Sequence, residues 1–234
     1  ENLLKALVQT GKPIVLVLFN GRPLILNWEN QHLSAILDAW FGGTEAGNAI
    51  ADVLFGNYNP SGKLSMTFPL NQGQIPIYYN AKNTGRPFHV GDGPKFKSDY
   101  LDMPNEPLYP FGFGLSYTKF SYSAITIDNG NISVNQPVHI KVTVTNTGNF
   151  DGEETVQLYI RDMVASVTQP VKELKKFQKV YLKKGESKEA SFTLSTNDLT
   201  FVNSDLKWVY EPGAFKIFVG GNSRDVVEAN LLGK

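Results

Sequence analysis

The stretch Gly42-Gly-Thr-Glu-Ala-Gly-Asn-Ala-Ile-Ala-Asp-Val-Leu-Phe-Gly-Asn-Tyr-Asn-Pro-Ser-Gly-Lys-Leu-Ser-Met-Thr-Phe68 decides the first half of the fold. Ala46, Ala49, Ile50, Val53 and Leu54 recur at i, i+3, i+4, i+7 and i+8, the spacing of one buried helical face. Thr44 is placed to cap that helix, and Glu45 falls in its first turn, where the helix dipole favours a negative charge. Gly56 supplies the C′ stop. Asn59-Pro60-Ser61-Gly62 is a turn, and Lys63–Phe68 reads as a strand.

Upstream, Leu3, Leu4, Leu7 and Val8 form a helical stripe that ends at Gly11 and Pro13. Ile14–Phe19 and Ala35–Phe41 are short apolar runs of the kind that form parallel strands covered on both faces. Trp28–Ser34 between them reads as a helical turn or two. Strand, helix and strand recur at spacings that imply right-handed crossovers, so residues 1–70 are expected to be part of an α/β domain. The N-terminal sequence, Glu1-Asn-Leu-Leu, resembles a helix already under way and carries no signal-peptide pattern; Glu1 is expected not to be a natural start.

Residues 69–115 change character. Pro69, Pro76, Pro87, Pro94, Pro104, Pro107 and Pro110 exclude a sustained helix. The abundance of Tyr and Phe indicates a connector, assigned to 71–115, that packs on a surface. From 116 to 234 the pattern is all-β. Val138, Ile140, Val142 and Val144 alternate with polar residues, as do Val156, Leu158 and Ile160; Ala190, Phe192 and Leu194; and Phe215, Ile217 and Val219. Turn signals at 128–131, 146–149, 184–186 and 211–213 separate about seven strands, which points to a two-sheet antiparallel sandwich.

Composition narrows the function. Lys+Arg and Asp+Glu balance at 22 each, for a net charge of zero, which argues against nucleic acid as a partner. The basic cluster from Lys172 to Lys188 is interleaved with apolar residues and Glu, and reads as a solvated strand face. There is no cysteine, which excludes disulfides and thiolate metal sites. No apolar run approaches the roughly 18 residues of a membrane span.

Several residues invite a chemical role. Asp99 and Asp102, with Asp92, match no calcium-loop spacing. His32, His89 and His139 lack the i+4 partner of a zinc motif. Ser116 has neither a nucleophile elbow nor a base partner. Asp52 sits opposite the buried stripe of its helix and reads as a surface charge. Phe111-Gly-Phe-Gly114 reads as tight turns for close packing in place of a phosphate loop. Trp28, Trp40, Tyr78, Tyr79, Tyr100 and Arg86 are candidates for stacking on or hydrogen-bonding a sugar; packing is the competing role for each. Asn131-Ile132-Ser133 is a glycosylation sequon in form.

The order of a partial α/β unit, a wrapped connector and a β-sandwich resembles the C-terminal part of family 3 glycoside hydrolases of the periplasmic β-glucosidase type. The resemblance rests on Lys12–Leu18, Trp40–Gly47, Ala49–Gly56, Asn59-Pro-Ser-Gly-Lys-Leu64 and Tyr109-Pro-Phe-Gly-Phe-Gly-Leu-Ser-Tyr117. Within the sandwich, Val144–Gly148 and Glu211-Pro-Gly213 add to it. Ile75–Asn80 followed by Gly85-Arg86-Pro87 is similar to the bacterial β-glucosidase branch. The fold it implies is the end of an α/β sandwich domain at 1–70 and a fibronectin type III-like sandwich at 116–234.

What the family implies is retaining hydrolysis of β-glucosides, with β-xylosides as the alternative and no cofactor or metal. One carboxylate attacks while another protonates the leaving oxygen, about 5 Å away. By resemblance, the nucleophile is an Asp on an N-terminal barrel. The acid/base is a Glu in a loop upstream of the segment matching Glu1–Leu18. Neither position is present here, so no catalytic residue is carried over. The implied partners are the barrel and upstream α/β segment together with a carbohydrate substrate, in a periplasmic or extracellular setting. A carbohydrate-binding or scaffold role for 116–234 is the competing reading.

Overall fold

The computed structural model describes residues 2–87 and 96–234, so His89, Asp92 and Pro94 lie outside the described residues. The first unit is α1 (Asn2–Val8), β1 (Val15–Leu18), α2 (Asn27–His32), β2 (Ala35–Asp38) and α3 (Ala46–Leu54). β1 and β2 pair in parallel, with Val15 opposite Ala35 and Leu18 opposite Asp38. This agrees with the α/β expectation. The expected double-sided burial does not appear. No residue of α1 or α3 is fully buried, and Phe41 and Phe55 are 81% and 82% exposed. Among the described residues no further strand joins this two-stranded parallel ribbon, and its apolar residues are half covered.

Two local expectations are corrected. The N-cap of α3 is Glu45, not Thr44, and no side chain closes the cap. A turn in which Ala46 N donates to Gly43 O (3.1 Å) carries the chain one residue further before the helix begins. Glu45 instead accepts from the Asn48 side-chain amide. The C′ stop is as expected, with Gly56 in the left-handed region at φ 81°. Lys63–Phe68 is not a regular strand. It runs extended beside the connector and is paired at separate points: Leu64 N to Phe113 O, Gly112 N to Leu64 O, and Phe68 with Tyr109 in both directions. The prolines and glycines of the connector interrupt the ladder that would have made it a strand.

The second unit is a sandwich. One sheet contains β3 (Phe120–Tyr122), β4 (Thr126–Ile127), β6 (Val138–Asn146) and β9 (Ser187–Leu194). The other runs in the order β5 (Asn131–Ile132), β13 (Val226–Gly233), β12 (Ala214–Gly220), β7 (Gly152–Asp162) and β8 (Glu173–Leu182). A hairpin of β10 (Phe201–Val202) and β11 (Trp208–Val209) lies outside both sheets. The alternating residues meet between the sheets: Val138, Ile140 and Val144 face Val156, Leu158, Leu182, Ile217 and Val219 in one buried cluster. Each large side chain removed from water there contributes about 1.5–3 kcal/mol.

β7 departs from simple alternation because both its faces are covered. Thr155, Gln157 and Tyr159, which point away from the core, are as enclosed as Val156 and Leu158. The connector and the Asn59–Lys63 turn lie over them.

Candidate functional site

Among the described residues polar chemistry is concentrated in two places. The first is the rim at the carboxyl ends of β1 and β2, the side on which open α/β sheets bind ligands. Asp38 ends β2, and its Oδ1 accepts from Trp40 N at 3.3 Å. Burial pushes the Asp38 carboxyl above its ordinary value, against the lowering effect of that Trp40 bond. Its Oδ2 is enclosed and unpartnered, as is Asn20 Oδ1 just beyond β1. Asn20 Nδ2 donates to Arg22 O at 2.8 Å. Trp40 follows with φ 50°, a backbone region that non-glycine residues rarely adopt. Strain of this kind collects at functional positions.

The second is a clasp between the α/β unit and the sandwich. Asn59 Nδ2 donates to Asp151 O at 2.8 Å, while its Oδ1 accepts from Ser116 Oγ and Tyr117 N, each at 2.8 Å. Ser61 Oγ donates to Glu153 Oε2 and accepts from Lys179 Nζ, both at 3.1 Å. Lys63 Nζ lies 3.1 Å from both Gly114 O and Glu154 Oε2, and Tyr122 OH donates to Glu154 Oε1 at 2.8 Å. Gln157 Nε2 reaches Gly112 O at 3.3 Å and also Gly221 O. Tyr79 stacks on Phe111 at 4.2 Å and meets Tyr159 edge-on at 5.8 Å.

Two glycines of the connector are required by this contact. A Cβ on Gly112, which has φ 80°, would lie 2.2 Å from Gln157 Oε1; one on Gly114 would lie 2.2 Å from Gly62 O. The Phe111–Gly114 segment is therefore packed against protein, with no space for a phosphate.

The expected sugar-side residues are engaged by different neighbours. Trp28 stacks on His32 at 4.6 Å and carries Lys5 Nζ over its ring. Trp40 meets Phe68 edge-on at 6.0 Å. Tyr100 OH donates to Gly73 O at 3.4 Å, and Arg86 sits over Phe96. Tyr78 is exposed. Ser116 serves the Asn59 turn, His32 Nδ1 meets Trp28 O, and His139 Nδ1 meets Thr193 Oγ1. Asp52 Oδ1 accepts from Asn57. Among the described residues, no group of three or more His, Cys, Asp or Glu side chains is placed to hold a metal. No helix among them is long and apolar enough to cross a membrane.

The basic cluster is not uniformly solvated. Lys172 is largely buried, with its ammonium 2.6 Å from Ser223 O and 4.3 Å from the Phe218 ring centroid. A small cavity lined in part by Asp162, Glu173, Lys175 and Phe215 encloses about 20 Å³, room for about one water and not for a pyranose. Asn20, Asp38, Glu154 and Gln157 were not singled out from sequence, and Lys172 was read only as part of a solvated basic cluster. For Glu154 a signal existed: it falls in phase with Val156, Leu158 and Ile160, so an inward carboxylate required a cation.

Comparison with known proteins places the chain in a family. Residues 1–117 match the glycosyl hydrolase family 3 C-terminal domain, and residues 154–223 match the fibronectin type III-like domain. The chain is 50% identical over 231 residues to a periplasmic beta-glucosidase of Salmonella typhimurium, covering 99% of this chain and 30% of the relative. It is 46% identical to a beta-xylosidase of Formosa agariphila, covering 96% of this chain and 30% of the relative. The crystal structure of a beta-glucosidase from Listeria innocua in complex with glucose superposes with a TM-score of 0.93 at 44% identity, covering 99% of this chain and 32% of that one. The chain thus spans about a third of the length of the relatives it matches. The signature segments Asn59–Leu64 and Tyr109–Tyr117 form the side of the clasp that faces the sandwich strands, and the chain belongs to glycosyl hydrolase family 3.

Proposed function

We propose that the chain is the C-terminal part of a retaining glycosidase that hydrolyses terminal β-D-glucosides, in a periplasmic or extracellular setting. The relatives named as β-glucosidases support the substrate class, and the Salmonella relative's name supports the setting. The polypeptide matching the rest of those relatives carries the attacking and protonating carboxylates and covers β1, β2 and α3. The supporting observation is the rim, where two enclosed acceptor oxygens, Asn20 Oδ1 and Asp38 Oδ2, await donors beside half-covered apolar strands. In this assignment, residues 1–70 supply part of one wall of the sugar site, the connector spans 71–115, and the sandwich at 116–234 braces that wall through the clasp.

The test is a chromogenic β-glucoside assay on this chain and on the parent polypeptide. The parent turns over the glucoside with retention of the anomeric configuration, and this chain does not. Turnover that stays with this chain after stringent removal of host glycosidases would overturn the assignment. The Formosa relative favours a second reading, a β-xylosidase. A parent that prefers the xyloside decides for it.

A further inference from the structure

The sequence contains two Asn-Gly pairs, Asn20-Gly21 and Asn129-Gly130, the dipeptide most prone to spontaneous loss of side-chain ammonia because glycine, with no side chain, leaves its backbone nitrogen free to attack the asparagine Cγ. The fold treats them differently. Asn20 has its Nδ2 tied to Arg22 O and its Oδ1 enclosed, and at the exposed Gly21 the Phe41 ring would lie 2.7 Å from a Cβ. Asn129 and Gly130 are exposed, and nothing lies within 4 Å of a Cβ position on Gly130. Asn129 Oδ1 accepts from Asn131 N at 3.2 Å, which folds the carboxamide toward the backbone that follows it.

We propose that Asn129 is a site of self-catalysed covalent modification, converting to aspartate and isoaspartate with water as the only co-reactant, while Asn20 is protected. The Gly130 nitrogen, on losing its proton to solvent base, forms a bond to Asn129 Cγ. The Cγ–Nδ2 bond breaks, and ammonia leaves with a proton from solvent. Water then opens the cyclic imide at one of its two carbonyls. Opening at the side-chain carbonyl gives aspartate; opening at the main-chain carbonyl gives isoaspartate and adds one carbon to the main chain. Either product places a new carboxylate beside Asp128, which already accepts from Asn129 N and His139 N. The isoaspartyl form lengthens the turn immediately ahead of β5, whose neighbour Gly130 O anchors Leu232 N at 3.1 Å.

The experiment ages the folded protein in mildly alkaline buffer, alongside a sample unfolded in denaturant, and locates amide-to-acid conversion by fragmentation mass spectrometry. In the unfolded sample both Asn-Gly pairs convert at similar rates. In the folded protein Asn129 converts faster than Asn20 by on the order of tenfold or more, the factor set by about 1.4 kcal/mol of local opening free energy. Gly130→Ala slows conversion at Asn129 without changing Asn20. Equal rates at the two sites in the folded protein, or an unchanged Asn129 after the unfolded chain has converted, overturns the proposal.

Discussion

Lys63 Nζ stands 3.1 Å from Glu154 Oε2, with the two side chains only 14% and 6% exposed. This ion pair joins the Pro-Ser-Gly turn of the α/β unit to a sandwich strand. An enclosed pair contributes little net stability, but removing one partner strands the other charge, at about 3–5 kcal/mol. Lys63→Met is therefore expected to cost about 3 kcal/mol. The double variant Lys63→Met/Glu154→Gln should be less destabilised than the sum of its parts by about 1 kcal/mol or more. Denaturant unfolding of the four proteins measures that coupling; strict additivity would show that the two side chains do not depend on each other.

The close approach of connector and turn gives a contrast between two glycines. Gly114→Ala drives a Cβ to 2.2 Å from Gly62 O, a backbone atom that cannot swing aside. Overpacking of this kind costs about 1–3 kcal/mol. Gly62→Ala meets nothing within 4 Å and stays within about 0.5 kcal/mol of wild type. Thermal unfolding of both variants checks the difference, and equal melting points would mean that the segments are not pressed together.

How much of this was legible in the sequence follows from the range of the forces involved. The sandwich core was readable because β-strand alternation is local, and Val138, Ile140, Val142 and Val144 declare their face without reference to any partner. The span of α3 was readable from its 3.6-residue period and from Gly56. The burial of that helix was not, because burial depends on what packs against the face and periodicity does not show that. The clasp was hidden for a related reason: Asn59 and Ser61 find their partners 92 residues away. Sequence spacing shows that Asn59-Pro-Ser-Gly is a turn, but not what the turn holds. The rim residues Asn20 and Asp38 carry no motif, and only the enclosed, unpartnered oxygens Asn20 Oδ1 and Asp38 Oδ2 mark them.

On the acid side, Glu153 is the informative group. Lys179 Nζ donates to it at 2.8 Å and Ser61 Oγ adds a second bond, which together hold its carboxyl below the ordinary 4.5. A carboxylate held low in the folded state contributes stability that is complete above its unfolded pKa and is lost as pH falls through the folded value. Lys179→Met should remove that contribution where it is complete, lowering stability slightly near neutrality because the pair is largely solvent-facing, leave the acid extreme unchanged, and so flatten the fall in stability below about pH 4.5. Urea midpoints across the acid range test this; an unchanged acid limb would remove Glu153 from the account.

On the alkaline side Lys172 is the informative group. Burial lowers its ammonium from 10.5 to about 8, only partly offset by Glu228 and Asp225 and reinforced by Arg161. Between those two values the unfolded chain binds the proton more tightly than the folded one, so stability rises with pH through the window. The penalty is fully present below about 8 and relieved toward 10.5. Tyr159 and Tyr122 act in the opposite sense further up. Burial raises both phenols above 10, and stability is lost once the unfolded tyrosines ionise. The folded protein should thus gain stability between about pH 8 and 10 before declining. Lys172→Met leaves an apolar side chain of similar length beside the Phe218 ring, removes the charge and eliminates the rise. A variant whose profile parallels wild type across that window would show that Lys172 is hydrated in the folded protein and that its contact with Ser223 O does not persist in solution.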